Sequence, residues 1–211
     1  DRTKEAYNYY FVQNGDIISK RMCKYVRPCG LGLAEGQARQ RLLQKIVKLN
    51  QERSYRVGTG FLSTPFVFPL LTEAGASDDA FRMLMNPEIG WIQQIKQGAT
   101  PLWENWTDDA SLNHYSKGAC CQWLFDTLCG IKMDGRENHF VIAPHPVSQL
   151  DSISMEYDSA YGKVSSAWFR IDGKVNFRIS IPSNCVADVI LPDGSTYVCK
   201  CGEYNFSTVV K

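Results

Sequence analysis

Apolar residues in the first part of the chain recur at helical spacing. Leu42, Leu43, Ile46, Val47 and Leu49 follow the mostly polar run Glu35 to Arg41, and Ala119, Trp123, Leu124 and Leu128 repeat the same three-to-four-residue interval. This spacing predicts several helices. Near residue 135 the period changes to two, as in Val164, Ser166, Trp168 and Arg170 or Val175, Phe177, Ile179 and Ile181. Turn signals at Asp172-Gly173, Pro182-Ser183-Asn184 and Asp193-Gly194 cut this part into short antiparallel strands, with Phe140, Ile142, Trp168, Phe177, Ile179 and Val189 expected inward. The expected fold class is α+β and multidomain: a helical unit over 1–135, then an antiparallel β-sandwich over 136–211. The charged, glycine-containing segment Gly130 to Asn138 reads as their junction.

The helices are separated by two long irregular stretches, Tyr55 to Pro65 and Asn86 to Asp109, which exceed the usual connector length. They hold Trp91, Trp103, Trp106, Glu104 and Gln97, a mixture of aromatic platforms and polar groups that fits a ligand-facing rim beside helix ends. The chain has 211 residues, 44% of them hydrophobic, enough for one sizeable core or two modest ones. With 23 Lys and Arg against 22 Asp and Glu the formal net charge is +1, so no global field exists to hold nucleic acid or an anionic membrane. The most apolar stretch, Phe61 to Leu71, is broken by Ser63, Thr64, Pro65 and Pro69 and is far shorter than the roughly 20 residues of a membrane span. The opening Asp1-Arg2-Thr3-Lys4-Glu5 has neither a starting Met nor an apolar signal core, so the chain reads as mature, truncated or excised. Eight cysteines form no paired CxxC knuckles, which argues against structural zinc, and the adjacent Cys120 and Cys121 read as small buried residues.

Candidate chemistry concentrates in Gln97 to Trp106, where Glu104 is flanked by Trp103 and Trp106. Apolar walls shield and steady a carboxylate, as a general base requires, and indole faces suit the apolar faces of a sugar ring. The alternative is that the two tryptophans pin a helical turn to the core while Glu104 is solvated. Farther on, Asn113-His114-Tyr115 precedes an apolar helix. Asn113 could cap that helix, and His114 could bind a substrate hydroxyl or satisfy a backbone group. There is no GxSxG and no HExxH, and Gly58-Thr59-Gly60 lacks the third glycine and preceding strand of a phosphate cradle. Glu73, Asp78, Asp79 and Glu88 are explained by helix starts and solvated faces.

Five short segments stand in a telling order: Gly58 to Pro65, Gly98-Ala99-Thr100 with Trp103-Glu104-Asn105-Trp106, Asn113-His114-Tyr115, His139 to Pro144, and Tyr161 to Trp168. From about Arg21 to near its C-terminus the chain resembles the C-terminal part of bacterial α-L-rhamnosidases of glycoside hydrolase family 78. The resemblance implies an inverting glycosidase with an (α/α)6 barrel followed by a β-sandwich, of which this chain holds only the last barrel helices. It assigns Glu104 as the general base that activates water, His114 as a sugar contact, and Trp103 and Trp106 as pocket walls. An inverting enzyme needs a second carboxyl about 6.5–9.5 Å from the first to protonate the leaving oxygen. The family draws that acid from an upstream acidic, Trp-rich segment with no counterpart here, so the isolated chain is expected to be inactive.

The sequence departs from the family in two places. Asn105 stands where Arg is common, and Glu104 and His114 are separated by a shorter interval than in many relatives. The expected substrate is a rhamnose-containing plant or microbial glycan or glycoside, with no cofactor and no metal. An opened barrel face is expected to allow homo-oligomers, and family analogy implies a periplasmic or secreted parent. Two rival readings are a non-catalytic carbohydrate-binding or scaffolding unit, and a structural domain whose tryptophans are all core.

Overall fold

A computed structural model describes residues 2–12, 16–17, 19–107 and 110–209. Asp1 of the charged start and Asp109 at the end of the second long stretch lie outside these residues. Internal contacts divide the chain into two compact units, residues 1–120 and 121–211.

The first unit is helical: α1 (Arg2–Phe11), α2 (Cys23–Gly30), α3 (Gly36–Glu52), α4 (Thr64–Glu73), α5 (Ser77–Leu84), α6 (Trp91–Lys96) and a 3-10 turn at Tyr115–Gly118. α3 buries Leu42, Leu43, Ile46 and Asn50, the stripe its periodicity predicts. α4 is apolar nearly all round and buries Thr64, Val67, Phe68, Leu70 and Leu71, as a helix touched by α2, α3 and α5 must. Pro65 stands in its first turn, where a missing N–H leaves nothing unsatisfied. Glu73 does not start a helix or face solvent alone. It ends α4 and takes a forked pair of hydrogen bonds, 2.6 Å each, from Arg39, whose third nitrogen reaches the Cys29 carbonyl at 2.7 Å. That fork ties α2, α3 and α4 together and holds the Glu73 carboxyl below its usual range. Asp79 accepts from Gln51 and Arg82, and Glu88 pairs with Arg56. α6 occupies part of the stretch expected to be irregular, because six residues are too few to display a helical period. α1 buries none of its residues and exposes Tyr9, Tyr10 and Phe11.

α7 (Ala119–Trp123) leads into a π-helical turn at Leu124–Leu128 and then the sheet. Cys120 is buried but Cys121 is exposed, a correction to the paired-burial reading. Successive residues of a helix point about 100° apart, so a one-residue step turned Cys121 away from the side that covers Cys120.

The second unit is one six-stranded sheet of β1 (Ile131–Met133), β2 (His139–Ile142), β3 (Ser152–Ser159), β4 (Gly162–Ile171), β5 (Lys174–Ile190) and β6 (Thr196–Thr208). The order runs β1-β2-β5-β4-β3, with β6 also paired to β5. β4 pairs with the first half of β5 and β2 with its second half, while β6 runs along both. The sheet thereby curls around a single core containing Phe140, Ile142, Trp168, Phe177, Ile179 and Val189, all expected inward. Two expectations are corrected. β2 and β5 are parallel, so the sheet is mixed, and Pro182-Ser183-Asn184 is a bulge within β5, not a turn between strands. Asp172-Gly173 does form the tight β4–β5 turn, both residues having positive φ, and Asp193-Gly194 turns β5 into β6. Gly130, at φ 77°, passes so close to the Ala143–Pro144 backbone that no side chain could stand there.

No helix among the described residues is long and apolar enough to cross a membrane. No cluster of three or more His, Cys, Asp or Glu suited to a metal ion occurs among them either.

Candidate active site

The Trp103–Trp106 segment is not a helical turn. It belongs to a loop closed by backbone pairing. Glu104 N–H donates to the Ser111 carbonyl at 2.8 Å, and His114 N–H donates to the Leu102 carbonyl at 2.6 Å. Glu104 and His114, ten positions apart, thus each stand on one of these two rungs. Gln94 of α6 fixes the outer side of the loop by donating from Nε2 to the Asn105 carbonyl at 2.7 Å.

The tryptophans are held by their polar edges. Trp106 donates from Nε1 to the Thr59 carbonyl at 3.2 Å, so Gly58-Thr59-Gly60 serves as an indole anchor. Trp91, at the first position of α6, donates from Nε1 to the Lys117 carbonyl at 2.9 Å and meets Trp106 edge-to-face, centroids 4.9 Å apart. Trp103 is buried, whereas Trp106 and Glu104 are half-buried.

Lys117 was not singled out from the sequence, where a lysine near a helix start reads as solvated. Its side chain is buried, 1% of the residue remaining exposed, and Nζ stands 4.4 Å from the centre of the Trp106 ring. Burial drives its pKa down, while the Glu104 carboxylate acts the other way and supports the charge. A cation on an indole face, with its countercharge two residues from that indole, is an arrangement no local pattern announces.

Asn113 does not cap the following turn; its backbone groups bond to Ser111. The capping residue is His114, whose Nδ1 accepts from the Ser116 N–H at 3.4 Å and lies 3.0 Å from Ser116 Oγ. An accepting Nδ1 places the proton of the neutral ring on Nε2. His114 therefore satisfies a backbone group at one nitrogen and presents a donor at the other. Its ring stacks on Tyr115 and lies near Phe61.

A cavity of about 370 Å³ adjoins this loop, lined by residues including Trp91, Gln94, Thr100, Leu102, His114 and Tyr115. His114 and Trp91 reach its wall, while Trp103, Glu104 and Trp106 are not among the residues lining it.

Comparison with known proteins agrees in both units. Residues 1–128 match the family model for the bacterial alpha-L-rhamnosidase 6 hairpin glycosidase domain, and residues 138–204 match the bacterial alpha-L-rhamnosidase C-terminal domain. An alpha-L-rhamnosidase of Formosa agariphila is 27% identical over 96% of this chain and 24% of its own length. One of Streptomyces avermitilis is 28% identical over 87% of this chain and 19% of its own. The chain therefore spans about a fifth to a quarter of these curated relatives. Among solved structures, the Streptomyces avermitilis alpha-L-rhamnosidase complexed with L-rhamnose superposes with a TM-score of 0.90 at 25% identity, over 98% of this chain and 23% of that one. The native enzyme from Aspergillus terreus shares the fold, with a TM-score of 0.90 at 24% identity over 97% of this chain and 26% of that one. With a closed Trp-Glu-Asn-Trp loop in a helical unit, a curled β unit and family matches across most of its length, the chain belongs to the bacterial α-L-rhamnosidases of glycoside hydrolase family 78.

Proposed function

We propose that the chain carries the base side of the active site of an inverting glycosidase that releases terminal α-L-rhamnose from glycans or glycosides. In this reading Glu104 is the general base, deprotonating the water that attacks the anomeric carbon. His114 donates from Nε2 to a sugar hydroxyl, and Trp103 and Trp106 shape the surroundings of the base. The observation that carries the reading is the closed loop, which brings Glu104 and His114 to adjacent rungs and leaves a histidine donor facing no described protein acceptor. The relatives' names supply the sugar, and one of their structures is described as complexed with L-rhamnose. The general acid belongs to a part of the parent enzyme outside this chain. Glu73, Asp79 and Glu88 of the helical unit are engaged in ion pairs or hydrogen bonds that hold the helices.

The test is hydrolysis of aryl α-L-rhamnosides by the full-length parent and by this chain. General acid–base groups contribute about 10²–10⁴-fold each, so Glu104→Gln in the parent should cost at least two powers of ten in kcat with an unchanged fold. Near wild-type turnover would remove Glu104 from the mechanism. The chain alone should not cleave a substrate with a poor leaving group. Robust cleavage abolished by Glu104→Gln would place an acid within the chain and overturn the division of the site.

A further inference from the structure

Lys117 keeps 1% of its surface exposed, and its ammonium stands 4.4 Å from the centre of the Trp106 ring. A lysine in a turn ordinarily buries its stem and extends its head into water. This one is pinned the other way by its backbone: His114 caps the 3-10 turn that carries it, and its carbonyl accepts the Trp91 indole N–H at 2.9 Å. Removing an ammonium from water is costly, and an apolar side chain of the same length would fill the space without that cost. The charge is explicable if it has a task. An ammonium is drawn to the centre of an indole face, whereas an apolar group packs against any part of it. Trp106 is thereby held at three points: its Nε1 donates to the Thr59 carbonyl at 3.2 Å, Trp91 meets it edge-to-face, and Lys117 covers a ring face. Trp106 lies two residues after Glu104, within the loop closed by the Glu104–Ser111 and His114–Leu102 hydrogen bonds. Lys117 is not among the residues lining the neighbouring cavity, and at 1% exposure it is not placed to touch a sugar.

We propose that Lys117 is a positioning residue of the site: its ammonium holds the Trp106 indole in one orientation and, through it, the loop that carries Glu104. The inference rests on the reading of that loop as the base side of the active site. The Glu104 carboxylate supports the buried charge, so the loop helps to retain the cation that steadies it. Without the ammonium one ring face loses its anchor, and the loop is free to shift. A base displaced by a fraction of an ångström slows the chemical step more than it weakens binding, because the bound sugar is held by other groups.

The experiment measures hydrolysis of an aryl α-L-rhamnoside by variants of the full-length parent. Lys117→Met keeps the length of the side chain and removes its charge. It should lower kcat about tenfold, leave KM within about twofold, and leave Tm unchanged or raised, since an apolar group replaces a buried charge. Lys117→Arg, whose guanidinium also stacks on indoles, should be less impaired than Lys117→Met. In a Trp106→Leu background Lys117→Met should cost nothing further, because a residue that acts through an indole has no effect once the indole is gone. The assignment is overturned by a Lys117→Met parent with wild-type kcat, with a loss confined to KM, with a lowered Tm, or with the same loss in the Trp106→Leu background, and equally by a Lys117→Arg parent no better than Lys117→Met. Glu104→Gln in the same assay separates the two claims. Near wild-type turnover there would remove the base reading and this inference with it, whereas a disabled Glu104→Gln beside an unaffected Lys117→Met would overturn the role of Lys117 alone.

Discussion

Trp168 and Trp106 each donate an indole N–H to a backbone carbonyl, Trp168 to Leu128 at 2.8 Å and Trp106 to Thr59 at 3.2 Å. Each also has a cation over its ring, Arg170 at 5.8 Å from the centre of Trp168 and Lys117 at 4.4 Å from that of Trp106, but their burial and the burial of the two cations differ. Trp168 has 0% of its surface exposed and shares an apolar core with Phe140, Phe177 and Ile179. Trp106 is half-buried, touched by the edge of Trp91 and covered by the Lys117 ammonium. The first arrangement removes apolar surface from water, and its only polar atom is satisfied. The second buries an ammonium against an indole within the field of the Glu104 carboxylate, which gains little stability but holds polar side chains in place. The β unit is thus built for cohesion, and the Leu102–Lys117 region for placement.

The strongest way to break this comparison is Trp168→Ala. Large-to-small changes at a buried tryptophan cost about 3–5 kcal/mol, and this one also strips the Leu128 carbonyl of its donor. Urea unfolding of the chain measures it. A loss below about 1 kcal/mol would mean that the core relaxes around the gap and that the β unit is not the cohesive region.

His114→Ala sharpens the other side. Deleting a neutral hydrogen-bond partner costs about 1–3 kcal/mol, so kcat/KM of the parent on an aryl α-L-rhamnoside should fall about ten- to a hundredfold. The pH profile should keep both limbs, since the proposed role is binding. Loss of either limb would make His114 a proton carrier instead.

The smallest effect concerns Asp193 at the β5–β6 turn. Hydrogen bonds from Ser195 and Thr208 hold its carboxyl at about 2, against an ordinary value of 3.8. A depressed carboxyl stabilises the fold fully above its unfolded value and loses that contribution as pH falls through the folded one. The acid destabilisation of the chain should therefore extend from about pH 4 down to about pH 2. Asp193→Asn should lower Tm slightly near neutrality and remove part of this acid dependence. Identical acid curves for the two proteins would show that the turn carboxylate does not contribute.

Much of the β unit was legible because one face of a strand is buried and alternation reports that face directly. Phe140, Ile142, Trp168, Phe177, Ile179 and Val189 all lie in the core as their spacing requires. The pattern reports a side, however, and not a neighbour. It could not reveal that β2 runs parallel to β5, nor that Pro182-Ser183-Asn184 bends a single strand, since a proline cluster signals a break in pairing in either case. In the helical unit the stripe of α3 was readable, but the Arg39–Glu73 fork, 34 residues apart in sequence, was not.

The sequence by itself determined the change of period from helix to strand, the inward face of the long strands and the presence of a carboxylate between two indoles. These are local properties, set by side-chain spacing along one segment. Tertiary structure alone decided that His114 caps the turn in place of Asn113, that Glu104 and His114 close one loop, and that Lys117 is drawn under Trp106. Those outcomes depend on which distant backbone carbonyls and ring faces are left unpaired once the helices have packed, and chain folding, not local spacing, brings such partners together.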